Sequence, residues 1–312
     1  MKVAALDLGS NTFLCLIAEV KHFDGGAALE KVYFDTVEVV RLGQGLEQSK
    51  SFHPEALHRA DACLKKFAKI IEEHKPEKIL AMATSAARDA TNKQELFNIA
   101  RKHNIPLEII AGEKEASITY QGAVSGFKSS GQNLMIVDIG GGSTEYIFGK
   151  DQVLMAAESF NIGCVRLTEK FISSHPTANE EVEKVIQFVD ESIIKARDLM
   201  PQGFMVDQIL AVAGTPTSLV AAQLGAFEVS RIDGAILTKE GLESWLSQLK
   251  NATVEEKVKM GIPSGRADVI LVGVIILLRT LDLFGLKQMM VSTRGVRYGI
   301  ALEVGRRYLS LG

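Results

Sequence analysis

One pattern occurs twice in this chain. Residues 3 to 17 read VAALDLGSNTFLCLI and residues 134 to 148 read LMIVDIGGGSTEYIF. Each copy predicts a buried strand, an aspartate, a tight turn of glycine and small polar residues, and a second strand. A turn of such residues lets backbone N–H groups converge on an oxyanion, and the aspartate beside it can organise a cation. The duplication points to two related halves, each built to handle phosphate.

A length of 312 residues exceeds what one hydrophobic core usually organises, so two domains are expected. The balance of 35 basic and 38 acidic residues, a net charge of -3, offers no electrostatic footprint for nucleic acid and no basic tail for a membrane surface. Cys15, Cys63 and Cys164 are far apart and form no CxxC or Cys/His pattern, which argues against zinc and for free thiols in a reducing compartment. The N-terminus has no basic, apolar and small-residue sequence for cleavage. The strongest apolar run, VILVGVIILL at 269 to 278, is half of the roughly 20 residues that span a bilayer and predicts a buried helix. A cytoplasmic protein is expected; composition permits a homodimer without requiring one.

Strands and helices alternate through the first part. After the first hairpin, LEKVYFDTVEVVRL predicts a further strand beyond a turn at Asp24–Gly26, and Pro54 opens the amphipathic helix EALHRADACLKKFAKIIEEH. KILAMAT predicts a strand that delivers Thr84, Ser85 and Arg88 to its far end, followed by a helix through Glu95–His103 and the strand PLEII. Small and polar residues from Gly122 to Gly131 suggest a crossing into a second domain. There IGGGST leads into a strand instead of a helix, so a dinucleotide-binding βαβ unit does not fit. An amphipathic helix after Pro176–Thr177 runs to about Leu199, and QILAVAGTPTSLVAAQL predicts strand, turn and helix, with Thr215 as a cap and Pro216 in the first turn. The N–H groups of that helix can face an anion, or the segment is simply a capped connection.

Taken together, DLGSNTF at 7 to 13, MATSAARDATN at 82 to 92, IIAGEKEA at 109 to 116, IVDIGGGSTE at 136 to 145, GCVRLTEKF at 163 to 171, AGTPTSL at 213 to 219, GRADVI at 265 to 270 and RGVRYG at 294 to 299 resemble the exopolyphosphatase/guanosine-pentaphosphate phosphohydrolase (Ppx/GppA) family, in family order and over nearly the whole chain. The resemblance implies an α/β fold of duplicated actin-like ATPase (ribonuclease H-like) domains with an interdomain cleft, in the short two-domain form. The expected boundaries are 1–124, completed by a C-terminal helix 300–312, and 125–299.

It also implies Mg²⁺-assisted attack of water on the terminal phosphate of inorganic polyphosphate, with guanosine pentaphosphate as the alternative substrate. Glu115 matches the family's catalytic glutamate, and Glu145 matches a second acid near water and metal. Asp7, Asp138 and Glu145 are the expected metal ligands. Ser10, Asn11, Thr12, Arg88, Gly140, Gly141, Gly142, Ser143, Gly214 and Thr215 are the expected phosphate contacts, and Arg166, Arg266, Arg294 and Arg297 are further candidates. Arginine suits such a site because its donor fork is permanently charged. Three positions depart from the family: Ala213 where glycine is common, Asp233 where many relatives have histidine, and Tyr298 in place of glutamate. An actin-like-fold kinase and a non-catalytic polyphosphate or nucleotide sensor are the other classes such a chain can fill.

Overall fold

A computed structural model of the protein describes residues 1–23, 26–127 and 131–309. Asp24 and Gly25 of the expected turn, and residues 128–130 of the expected crossing, lie outside them. In chain order the elements are β1 (Lys2–Leu8), β2 (Thr12–Phe23), β3 (Gly26–Val39), α1 (Leu46–Ser49), α2 (Pro54–His74), β4 (Lys78–Ala83), α3 (Ser85–Asp89), α4 (Gln94–Lys102), β5 (Leu107–Ile109) and α5 (Gly112–Val124). Then follow β6 (Asn133–Ile139), β7 (Thr144–Lys150), β8 (Val153–Phe160), α6 (Cys164–Phe171), α7 (Asn179–Asp198), β9 (Gln208–Val212) and α8 (Gly214–Leu224). The last are α9 (Val229–Ile232), β10 (Ile236–Thr238), α10 (Lys239–Lys250), α11 (Val254–Lys259), α12 (Ile270–Phe284), β11 (Gln288–Val291) and α13 (Val296–Leu309). The chain divides into two compact units, Met1–Phe127 with Arg294–Gly312, and Lys128–Thr293. Gly122 thus belongs to helix α5, and residues 294–299 stand with the first unit.

In the first unit the sheet runs β3-β2-β1-β4-β5, with β1 antiparallel to β2 and parallel to β4. Strand β1 is buried on both faces, and its period of two separates the residues cleanly. Ala4, Leu6 and Leu8 join Leu57, Leu64 and Phe67 of α2. Val3 and Ala5 join Ile118 of α5 and Ile300, Ala301 and Val304 of α13. Asp7 therefore shares its face of the sheet with α13.

Helix α13 is fastened to this unit by close backbone approach and by charge. A Cβ at Gly299 would overlap the carbonyl of Ile118, and one at Gly122 would overlap the carbonyl of Gly295, so α5 and α13 cross at a distance only glycine allows. Arg297 makes two hydrogen bonds to Asp35 on β3, at 2.7 and 2.9 Å. Arg307 forks onto Glu108 of β5 at 2.7 and 3.2 Å, and Lys114 of α5 reaches Glu303 at 2.9 Å.

The second unit has the sheet β10-β11-β9-β6-β7-β8. Read from the other edge, β8-β7-β6-β9-β11 repeats β3-β2-β1-β4-β5 in order and in strand sense. The duplicated α/β architecture implied by the resemblance is what the two sheets show. The apolar run at 269 to 278 forms the N-cap and first part of α12, which is buried along most of its length against Val137, Tyr146, Phe148 and Val189 and stopped by Gly285 at φ 69°. No helix among the described residues is long and apolar enough to cross a membrane. All three cysteines are buried and unbridged.

Candidate active site

The two hairpins match residue for residue. The N–H of Gly9 donates to the carbonyl of Thr12 at 3.0 Å, and that of Gly140 to the carbonyl of Ser143 at 2.9 Å. A Cβ at either glycine would meet that same carbonyl at 3.1 Å. Across the strands Asp7 opposes Leu14, whereas Asp138 opposes Glu145. Directly opposed residues share a face with Cβ atoms about 5 Å apart, so the second hairpin places two carboxylates side by side where the first has one carboxylate and one leucine.

The turns show how peptide groups are aimed. In the second unit the carbonyls of Gly140 and Gly141 accept from the first amides of α6 (Cys164, Val165 and Arg166, at 2.9–3.0 Å), and the carbonyl of Gly142 accepts from Nε of Arg166 at 2.7 Å. A trans peptide sets its N–H opposite its C=O. With three successive carbonyls drawn toward α6, the N–H groups of Gly141, Gly142 and Ser143 point to the opposite side, the arrangement of an anion-binding nest. Gly163 makes this contact feasible, since a Cβ there would overlap the backbone of Gly141 and Gly142. In the first unit the carbonyl of Ser10 accepts from Gly43 at 2.8 Å and that of Asn11 from Val40 and Arg41 at 3.0 and 2.8 Å, which turns the N–H groups of Asn11 and Thr12 the other way.

Glu115 lies in the first turn of α5, only 6% exposed, and Glu145 is 1% exposed. Nη1 of Arg88 donates to Oε2 of Glu115 at 2.6 Å and to the carbonyl of Ile110 at 3.0 Å, so the structure joins the two residues that the resemblance marks as base and clamp. Oε1 of Glu145 accepts hydroxyl hydrogens from Ser143 at 2.8 Å and Ser159 at 2.6 Å, which fixes the carboxylate. Asp138 is buried beside it.

Among the described residues no three His, Cys, Asp or Glu side chains gather into a metal-ligand set. Two adjacent carboxylates nevertheless suit Mg²⁺, which commonly takes one or two carboxylates and completes its shell with water and substrate phosphate. Asp138 and Glu145 fit that demand. Asp7 has Leu14 opposite, so its hairpin does not set a second carboxylate beside it.

The arginines divide by their partners. Arg166 braces the glycine turn through the carbonyl of Gly142. Arg266, almost fully buried, lies against Gly214 so closely that a Cβ there would overlap its guanidinium. Arg294 packs against Gly126 and over the ring of Tyr298, 5.5 Å from its centroid. Arg297 is committed to Asp35. Thr215 does not cap α8: Ala213 is the N-cap and Thr215 is buried in the helix against Gly273.

Each departure from the family has a local account. Tyr298 donates its hydroxyl to Oδ2 of Asp35 at 3.0 Å, beside Arg297; a glutamate there would add a second negative charge next to Asp35. Asp233 accepts the N–H and hydroxyl of Thr293 at 2.8 and 3.0 Å. Ala213 takes φ 74°, a region that favours glycine. Ala213→Gly is expected to stabilise the second unit by about 1 kcal/mol, relief of backbone strain less the added entropy of glycine. Urea unfolding checks this; a lowered midpoint would show that residue 213 is unstrained.

Several contributors were not singled out from the sequence. Ser159 carries no motif of its own, and the Arg41–Gly45 segment that packs on the first turn reads only as a loop. Gly163 opens the motif GCVRLTEKF and was the one within reach.

Comparison with known proteins agrees with this layout. The model of the Ppx/GppA phosphatase family matches residues 20–307. The chain is 34% identical to the exopolyphosphatase 2 of Mycobacterium tuberculosis, over 97% of this chain and 98% of that protein. It is 34% identical to a bifunctional 3-dehydroquinate synthase/phosphatase of Fusobacterium nucleatum, spanning 96% of this chain and 46%, about half, of that protein. It is 30% identical to a guanosine-5'-triphosphate,3'-diphosphate pyrophosphatase of Vibrio vulnificus, over 96% of this chain and 59% of that protein. The crystal structure of the Aquifex aeolicus Ppx/GppA family member superposes with a TM-score of 0.79 at 30% identity, covering 99% of both chains. With the matched motifs, the duplicated sheets and these relatives in agreement, the chain belongs to the Ppx/GppA phosphatase family.

Proposed function

We infer that the protein is an exopolyphosphatase, a phosphoanhydride hydrolase that releases the terminal phosphate of inorganic polyphosphate to water. The observation that carries this reading is the second hairpin, where N–H groups of Gly141, Gly142 and Ser143 are turned away from α6 next to the Asp138 and Glu145 pair. Polyphosphate is preferred over guanosine pentaphosphate because the exopolyphosphatase 2 relative is matched over 98% of its length.

The N–H groups of each turn offer donors for phosphate oxygens, and Arg88 offsets the charge that develops on the transferring group. Glu115 orients water and accepts its proton at a carboxylate oxygen. Asp138 and Glu145 are the residues that would hold Mg²⁺, which supplies charge neutralisation on phosphate oxygens when bound. Holding Glu145 through two serine hydroxyls keeps that carboxylate aimed as the site changes charge. The unbridged cysteines favour a reducing, cytoplasmic setting.

The reading is tested by initial phosphate release from short polyphosphate, long polyphosphate and guanosine pentaphosphate, with Mg²⁺ and after chelation. Release from polyphosphate that chelation abolishes is expected. Faster release from guanosine pentaphosphate would reassign the substrate, and ATP-dependent labelling of an acceptor without water attack would make the protein a kinase. Arg88→Ala is expected to lower kcat/KM by about 10–100-fold, the usual scale for removing one charged donor from a phosphoryl site. Unchanged kinetic constants would reject the clamp.

A further inference from the structure

The segment that carries Arg266 starts from a main-chain bond to Lys257 and ends near a carboxylate, Asp268, whose charge acts on the Lys257 ammonium. The amide of Ile262, at its start, donates to the carbonyl of Lys257 at 3.2 Å. Nζ of Lys257 lies 2.9 Å from Nδ1 of His175, which is also 3.1 Å from Oγ1 of Thr177. Asp268, two residues past Arg266, bonds His175 through its backbone, and its carboxylate acts on both His175 and Lys257. Glu181 of α7 also faces His175, and Cys164 of α6 faces Arg266 and Asp268.

Lys257 is fully buried, and burial pushes its ammonium down to about 8 against the pull of Asp268. A charge kept at that cost without touching substrate calls for a structural task tied to its partners. We propose that Lys257 and His175 are positioning residues for Arg266: they clamp the 262–268 segment so that its guanidinium rests over the Gly214 turn and meets a phosphoryl oxygen there. This role rests on the phosphohydrolase reading above and acts entirely through Arg266.

The test is a double-mutant cycle of Lys257→Met and Arg266→Gln. Calorimetric titration with tripolyphosphate in a Glu115→Gln background reports binding without turnover, and kinetics in the parent protein report kcat and KM. Lys257→Met is expected to weaken tripolyphosphate binding about tenfold with kcat held within about twofold, and to cost under about twofold once Arg266→Gln is present. His175→Asn, which retains an acceptor for Lys257, is expected to bind nearly as the parent does, and His175→Leu to behave as Lys257→Met. If Lys257→Met does not fold, His175→Leu runs the same cycle.

Equal losses in both Arg266 backgrounds, or a lowered melting temperature with unchanged affinity, would overturn the proposal. Parent protein that binds tripolyphosphate but releases no phosphate would overturn the hydrolase reading alone, since the cycle is read on binding. Protein that binds none would overturn Arg266 as a phosphate ligand and the clamp with it.

Discussion

Glu115→Gln is expected to lower the turnover number for polyphosphate by about a hundredfold to ten-thousandfold, the range that a positioned general base supplies. Glutamine keeps the shape of the side chain, and its carbonyl oxygen can still accept the N–H of Arg88 that now lies 2.6 Å from Oε2. Binding of phosphate is therefore expected to survive, and so is the fold; the expected loss is that of the proposed proton acceptor. Single-turnover phosphate release alongside calorimetric binding separates these quantities. Turnover near that of the parent would remove Glu115 from the reaction and leave it as a structural partner of Arg88.

Gly299→Ala is expected to be the most damaging small substitution, at about 3 kcal/mol, because the added methyl meets backbone of α5 and not a side chain that can rotate away. The first unit's melting transition falls by about 10 °C on the usual scaling for units of this size. Activity falls with it, since α5 carries Glu115 and rests on α13. Scanning calorimetry with phosphate-release assays checks both. An unshifted transition would show that α5 and α13 do not meet at Gly299 in solution.

Local patterns made much of this molecule legible in advance. The two hairpins were readable because strand alternation, an aspartate and small turn residues recur together, and helices α2, α4 and α12 follow from apolar spacing and a well-placed proline or glycine. Pairings between distant segments were not readable. Nothing near Asp35 says that it will meet Arg297, 262 positions away, nor does anything near His175 announce Lys257. A charged side chain shows its chemistry in the sequence but not its partner: Arg297, a phosphate candidate by resemblance, bonds Asp35 in the structure. Arg88 and Glu115 became legible only through the resemblance. Their contact depends on how β4, α3 and α5 stack, which no local rule sets.

The first unit is interrupted by the second, and that has a consequence for biosynthesis. On the ribosome, residues 128–293 form one continuous stretch whose unit can assemble once Thr293 has emerged, while the first unit must wait for α13. Until then the face of the sheet bearing Asp7 lacks its cover, and α5, the helix that holds Glu115, lacks its seat. Under the proposed function, phosphate release is therefore expected to appear late during translation, after the inserted unit is complete and α13 has joined the first unit.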